Sequence, residues 1–145
     1  MESKMDPRVN MLMTGARNVP ALRKFYEEGL GWTPWGQASD TLAMYKLGTA
    51  VLVFMPAAYL AAESGIAAVD TPKIINAIFV PTKEDVDRDF AQAVAAGATV
   101  TSPIRDRDGG LYSGYFADPE GNGWEVVWSP HMPLGPDGGL TFAGA

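Results

Sequence analysis

The chain has 145 residues, no cysteine and a formal net charge of −6 at pH 7. Without cysteine it can form no disulfide, thiolate metal site or cysteine nucleophile. An acidic chain repels a phosphate backbone, so we expect no nucleic-acid partner. We also expect a cytoplasmic protein with no membrane partner, because no apolar run is long enough to span a bilayer and the N-terminal segment is polar.

The first half of the chain, residues 9–56, shows the pattern of a strand, a helix and three further strands. The helix begins at Asn18 or Val19, with Pro20 in its first turn, where a missing N–H costs nothing. Strand-like runs separated by Gly, Ser and Asp complete this half. The predicted strands are residues 9–14, 32–36, 41–47 and 50–55.

The second half, residues 74–130, repeats this order of elements. Thr82 caps its helix and Gly97 ends it. Turns rich in Asp and Gly separate the last three strands. The strands predicted here are residues 74–80, 99–104, 111–117 and 124–129.

Laying Phe25 on Phe90 aligns the elements of the two halves. We therefore predict an α+β fold in one domain, residues 1–145, in which two tandem βαβββ modules form a curled mixed sheet around a central cup. Such a cup is a natural ligand pocket. Because sequence identity between the halves is slight, two separate α/β hairpins are the alternative.

Two segments lie outside the modules. Residues 57–73 join the halves, and their length is typical of a lid or a crossover; residues 57–63 are compatible with a short helix. Residues 131–145 are rich in Gly and Pro and predict an irregular tail.

Glu125 is the most conspicuous polar residue of the last strand. Residues alternate between the two faces of a strand, so Trp124, Val126 and Trp128 share one face and Glu125 lies on the other. Large apolar rings favour the helix side, which directs Glu125 into the cup, where it can orient a ligand or bind a cation. The alternative is a carboxylate at a solvated strand edge. Alignment of the repeats adds Met11, Val51 and Asn76 to Glu125 near the pseudo-twofold axis of the cup.

Two motifs resemble the vicinal oxygen chelate superfamily, which includes glyoxalase I, bleomycin resistance proteins and extradiol dioxygenases. They are FYEEGLGW at residues 25–32 and GYFADPEGNGWEVVWSP at residues 114–130. The resemblance covers about residues 9–130 and implies a homodimer, often with the cup shared between chains.

Metal-dependent members of that superfamily place His, Gln or Glu at four positions, which resemble Met11, Val51, Asn76 and Glu125 here. Of these four, Glu125 alone is a normal ligand for a hard divalent metal. The only histidine, His131, follows the last strand and is expected to be an exposed tail residue. We therefore expect no metal and no cofactor.

The resemblance and the residues together favour a metal-free protein that binds a small, flat or cationic organic molecule in its cup. Aromatic faces can stack on a planar ligand and attract cations, although the same rings can simply fill a small core. An isomerase or lyase of the glyoxalase type with Glu125 as general base is the alternative, and an interaction module with a plugged cup is a third. The candidate ligand-binding residues are Met11, Trp32, Trp35, Tyr45, Val51, Asn76, Tyr115 and Glu125.

Overall fold

The computed structural model describes residues 5, 7–69 and 74–141. The first module forms a sheet of three strands in the order β1-β3-β2, with β1 parallel and β2 antiparallel to β3. Its helix starts at the predicted position, because the Asn18 side chain accepts a hydrogen bond from the Ala21 N–H at 3.0 Å. The elements are β1 (Met11–Ala16), α1 (Val19–Arg23), a π-helical continuation of α1 (Lys24–Gly29), β2 (Ala43–Leu47) and β3 (Ala50–Pro56).

The strand predicted over residues 32–36 is wrong, so the first sheet has three strands where four were expected. Pro34 has no N–H to offer to a ladder, and Gly36 has φ +74°, which no extended strand adopts. The segment instead crosses irregularly beside β2, held there by a hydrogen bond from the Trp35 N–H to the Met44 carbonyl oxygen at 2.8 Å.

The second module forms a four-stranded sheet in the order β4-β7-β6-β5, in which β4 and β7 are parallel. Thr82 caps its helix as predicted, by accepting a hydrogen bond from the Asp85 N–H at 3.1 Å. A short helix within the connection, α2 (Ala57–Ser64), precedes this module. The module's elements are β4 (Ile75–Phe79), α3 (Lys83–Ala95), β5 (Thr99–Asp106), β6 (Tyr112–Ala117) and β7 (Gly123–Trp128), with a 3₁₀ turn at Asp108–Gly110.

The predicted α+β class is confirmed: the chain folds as two βαβββ-like modules with curled, open sheets. In the tail, Leu134 and Leu140 form an isolated bridge. Residues 142–145 of the predicted tail and residues 70–73 of the predicted connection lie outside the described residues. No helix in the described part of the chain combines the length and apolar character needed to cross a bilayer.

The helix-facing sides of the two sheets share one hydrophobic core. Phe25 and Leu52 of the first module pack in the same cluster as Phe116 and Val126 of the second. The modules approach closely where the π-helical continuation of α1 ends, because a β-carbon built on Gly29 would lie 2.4 Å from that of Ala96. The two halves therefore meet through buried side chains and not through a continuous sheet.

The alternation predicted for β7 is confirmed. The Trp124 indole N–H donates to the hydroxyl of Tyr26 in the first helix, and the Lys83 ammonium at the start of α3 lies 5.4 Å from the centre of the Trp128 ring. Glu125 therefore faces away from the helices.

Candidate functional site

A cavity of about 700 Å³ lies between the two modules. Its walls come from β1 and β3 of the first sheet, from α2 and the segment after it, and from the starts of β4 and β7. We call it the intermodule cavity. Its larger apolar lining residues are Met11, Leu12, Met13, Leu52, Phe54, Leu60, Ile66, Val69, Ile74 and Trp124.

The polar groups of the intermodule cavity are few and neutral. They belong to Thr14, Tyr26, Ser64, Asn76 and Asn122. None of the described residues that line the cavity carries a charged side chain. A concave, mainly apolar site of this volume with a few polar groups has the character of a small-molecule pocket.

A buried hydrogen-bond network fixes the wall of this cavity at the contact between the modules. The Tyr26 hydroxyl donates to Asp118 Oδ2 at 2.8 Å and accepts from the Trp124 indole N–H at 2.8 Å. Asn122 Nδ2 donates to the same carboxylate oxygen at 2.8 Å. Burial, together with the charge of Asp118 and the bond to it, raises the pKa of Tyr26 far above its ordinary value, so this hydroxyl keeps its proton.

The turn that carries Asp118 also holds the start of α1. Glu120 accepts hydrogen bonds from the backbone N–H groups of Arg17 at 2.6 Å and Asn18 at 3.0 Å. The Asp118 Oδ1 atom accepts from the N–H groups of Glu120 and Asn122, which closes the turn. One tight turn of the second module thus positions both the first helix and two residues of the cavity.

The four residues expected near the pseudo-twofold axis do not converge on one face. Met11 pairs with Val51, but Asn76 pairs with Trp124, whereas Glu125 pairs with Ala77. Since paired residues share a face, Asn76 lies on the side of Trp124 and Glu125 lies on the opposite side. Met11 and Asn76 line the intermodule cavity, and Val51 and Glu125 do not.

The aromatic candidates of the first module lie outside the lining of the cavity. The rings of Trp32 and Tyr45 pack around Tyr26, with centroids 5.1 and 5.6 Å from it. The Tyr45 hydroxyl donates to Glu27 Oε2 at 2.9 Å. Trp35 is 44% exposed, with the ammonium group of Lys46 5.2 Å from its ring centre. The first two rings therefore fill the core, and the third lies at the surface.

Glu125 belongs to a polar cluster on the other face of the second sheet. It lies across from Tyr115 in the β6–β7 ladder, and its Oε2 atom is buried without a hydrogen-bond partner among the described residues. Burial raises the pKa of Tyr115, as do the hydrogen bond to Glu125 and its charge, while the positive charge of Arg107 opposes the rise. The Arg107 guanidinium lies 4.8 Å from the centre of the Tyr115 ring, and the Ser113 hydroxyl is likewise buried and unpartnered within the described chain.

These residues do not fit a first-row divalent metal at the family's ligand positions. Val51 has no lone pair, Met11 offers a soft thioether, and Asn76 lies on the wrong face to join Glu125. Across residues 5, 7–69 and 74–141, no three His, Cys, Asp or Glu side chains form a group that could hold a metal ion. His131, after β7, is exposed.

The sequence interpretation missed the residues that shape the intermodule cavity. In the sequence, Tyr26 stands out only as part of the FYEEGLGW motif and Asp118 only as part of a turn rich in Asp and Gly, with no link between them. A buried Tyr next to Phe25 is a signal in retrospect, because a phenol hydroxyl on a core-facing helix stripe needs a polar partner.

Comparisons with known proteins place this geometry among related folds. The model of the Glyoxalase/Bleomycin resistance protein/Dioxygenase superfamily matches residues 8–126. A glyoxalase-related enzyme from Fulvimarina pelagi is similar in structure, with 29% identity, a TM-score of 0.87, and coverage of 95% of this chain and 99% of that one. A lactoylglutathione lyase from Agrobacterium tumefaciens shares the fold at 20% identity, with a TM-score of 0.68 and coverage of 86% and 95%. A comparison with curated protein sequences finds no match.

Proposed function

The chain belongs to the Glyoxalase/Bleomycin resistance protein/Dioxygenase superfamily, and from this membership we propose that it is a glyoxalase-like protein that binds a small organic molecule without a metal ion. The observation that carries the proposal is the intermodule cavity, whose volume of about 700 Å³ suits such a molecule.

The walls of the cavity favour a flat, uncharged ligand. Phe54 and Trp124 offer aromatic surface, and Met11 and Met13 offer thioether side chains that adapt to irregular shapes. A cation gains little here, because no described lining residue supplies a carboxylate. A cationic ligand would instead favour the face that carries Glu125.

A pair of variants on α2 tests the site. Ala61 lines the cavity, whereas its neighbour Ala62 is exposed and does not. We expect Ala61→Phe to place a ring in the cavity and weaken binding of neutral naphthalene-sized probes about tenfold, measured by titration calorimetry, because the added ring takes part of the volume that the ligand needs. The matched control, Ala62→Phe, should bind as the wild type does. Equal binding by both variants, or no binding of any neutral or cationic aromatic probe to the wild type, would contradict the proposal.

A second candidate function is proton transfer by Glu125. The Oε2 atom of this carboxylate is buried and unpartnered among the described residues, and such an oxygen can accept a proton from a carbon next to a carbonyl group. We expect Glu125→Gln to abolish exchange of solvent deuterium into a bound α-hydroxy ketone, followed by proton NMR. Exchange that continues in this variant at the wild-type rate would exclude Glu125 as the base.

We also propose a homodimer. Met11 and Met13 are about half exposed on the edge strand β1, and Ile75 is 60% exposed on the edge strand β4. Exposed apolar side chains on unpaired strand edges favour association. Light scattering should give twice the chain mass of 15.5 kDa, and Ile75→Lys should shift it towards the single chain. A wild-type mass of one chain at high concentration would refute the dimer.

A further inference from the structure

Two of the polar side chains that line the intermodule cavity, those of Asn76 and Asn122, lie on neighbouring strands of the second sheet. Trp124 pairs with Asn76 and Gly123 pairs with Ile75. Asn122 directly precedes these β7 residues, so the two Asn residues lie at the start of the same parallel strand pair. Both line the cavity. From this placement we propose, on the basis of the binding function above, that the cavity selects ligands that carry a neutral carboxamide or lactam group.

The two side chains differ in how much of their hydrogen-bonding capacity the protein uses. Asn122 donates one side-chain N–H to Asp118 Oδ2, so its second N–H and its carbonyl oxygen can bond to another group. The Asn76 side chain makes no hydrogen bond to any described residue. Both amides therefore offer a donor and an acceptor to a ligand.

Asp118 also fixes which way the Asn122 amide points. A carboxylate oxygen that accepts the Tyr26 hydroxyl proton can receive only the NH₂ group of Asn122. The carbonyl oxygen of Asn122 is therefore directed away from Asp118. Asn122 is 9% exposed and lines the cavity, where a ligand donor can replace the solvent at this oxygen.

The two Asn side chains should discriminate among three kinds of ligand group. A carboxamide both donates and accepts, so it can satisfy the N–H and the C=O of an Asn side chain together. An ester only accepts, and it leaves the Asn carbonyl oxygens unpaired. A carboxylate meets the negative charge of Asp118 behind Asn122 and finds no cationic side chain among the described lining residues.

Three probes of one shape test the proposal: 2-naphthamide, methyl 2-naphthoate and 2-naphthoate, each titrated by calorimetry. We expect the amide to bind about tenfold more tightly than the ester, the gain of one or two neutral hydrogen bonds, and the carboxylate to bind most weakly. Asn76→Leu should bring the amide and the ester within about twofold of each other. Asn10→Leu is the matched control, because Asn10 is exposed and lies outside the cavity.

The outcomes distinguish this proposal from the binding function beneath it. Equal affinities of the wild type for the amide and the ester, or an undiminished preference in Asn76→Leu, would overturn amide selection while the cavity remains a binding site. If none of the three probes binds, the binding function itself fails, and amide selection fails with it. Should Asn76→Leu lose its far-UV circular dichroism, Asn76→Val provides the same test with a residue that suits a strand.

Discussion

Removing the hydroxyl of Tyr26 should destabilise the protein more than its single atom suggests. Tyr26→Phe leaves the buried Trp124 indole N–H without an acceptor and removes a donor from Asp118, which keeps its bond to Asn122. An orphaned buried donor costs about 1–3 kcal/mol, and a hydrogen bond to a carboxylate contributes a similar amount. We therefore expect a loss of about 2–4 kcal/mol in the free energy of unfolding, or roughly 7–13 °C in Tm.

Urea denaturation followed by circular dichroism measures this loss, and Tyr45→Phe is the matched control. Tyr45 is as deeply buried, at 1% exposure, but its hydroxyl donates to a carboxylate, on Glu27, that Arg23 also binds. Because no buried donor is left unpaired there, we expect a loss of only about 0.5–1.5 kcal/mol. If Tyr26→Phe costs no more than Tyr45→Phe, the buried network does not hold the modules together as argued.

Three further changes test local features. The hydrogen bond from Arg23, aided by one from Tyr45, lowers the pKa of Glu27 against the opposing effect of burial. The stability that this gives the fold is fully present above the ordinary glutamate pKa of about 4.3, and it is lost as the pH falls through the lowered pKa. Glu27→Gln should therefore cost about 0.5–1 kcal/mol at pH 7 and progressively less in acid, and a cost independent of pH in urea melts would count against the pair. Gly29→Ala should cost about 1–3 kcal/mol by overpacking, because its β-carbon would lie 2.4 Å from that of Ala96. Adding Ala96→Gly should recover this stability, and no recovery would show that the contact with Ala96 is not the cause. Thr82→Ala should cost about 1 kcal/mol in the same melts, and an unchanged midpoint would show that the cap is dispensable.

The order of elements was predictable because it rests on local chemistry. Asn18 and Thr82 cap helices through their own side chains, and the alternation along β7 follows from the period of a strand. Residues 32–36 misled because Trp and Thr favour strands, while Pro34 and Gly36 decide the backbone path. Propensity summed over a short run did not outweigh two residues that cannot join a ladder.

The candidate site was harder to predict because its position depends on register and on contacts between distant residues. A shift of one residue decides whether Asn76 lies beside Trp124 or beside Glu125, and the sequence of β4 does not fix it, because apolar residues occupy both of its faces. The bond between Tyr26 and Asp118 joins residues 92 positions apart. No local pattern encodes such a pair, whereas the turn around Asp118 was evident from its own Asp and Gly.

The hydrogen bonds that Glu120 accepts from the backbone at the start of α1 have a consequence for building chimaeras. The backbone N–H groups of Arg17 and Asn18 in the first module find their acceptor, Glu120, in the second module. If the first module alone were transplanted into a relative, these N–H groups would be left without a partner. A graft should carry the Asp118–Asn122 turn together with the helix that it serves. The part of this chain that must be transferred intact is therefore the contact between the two repeats, which includes residues of both.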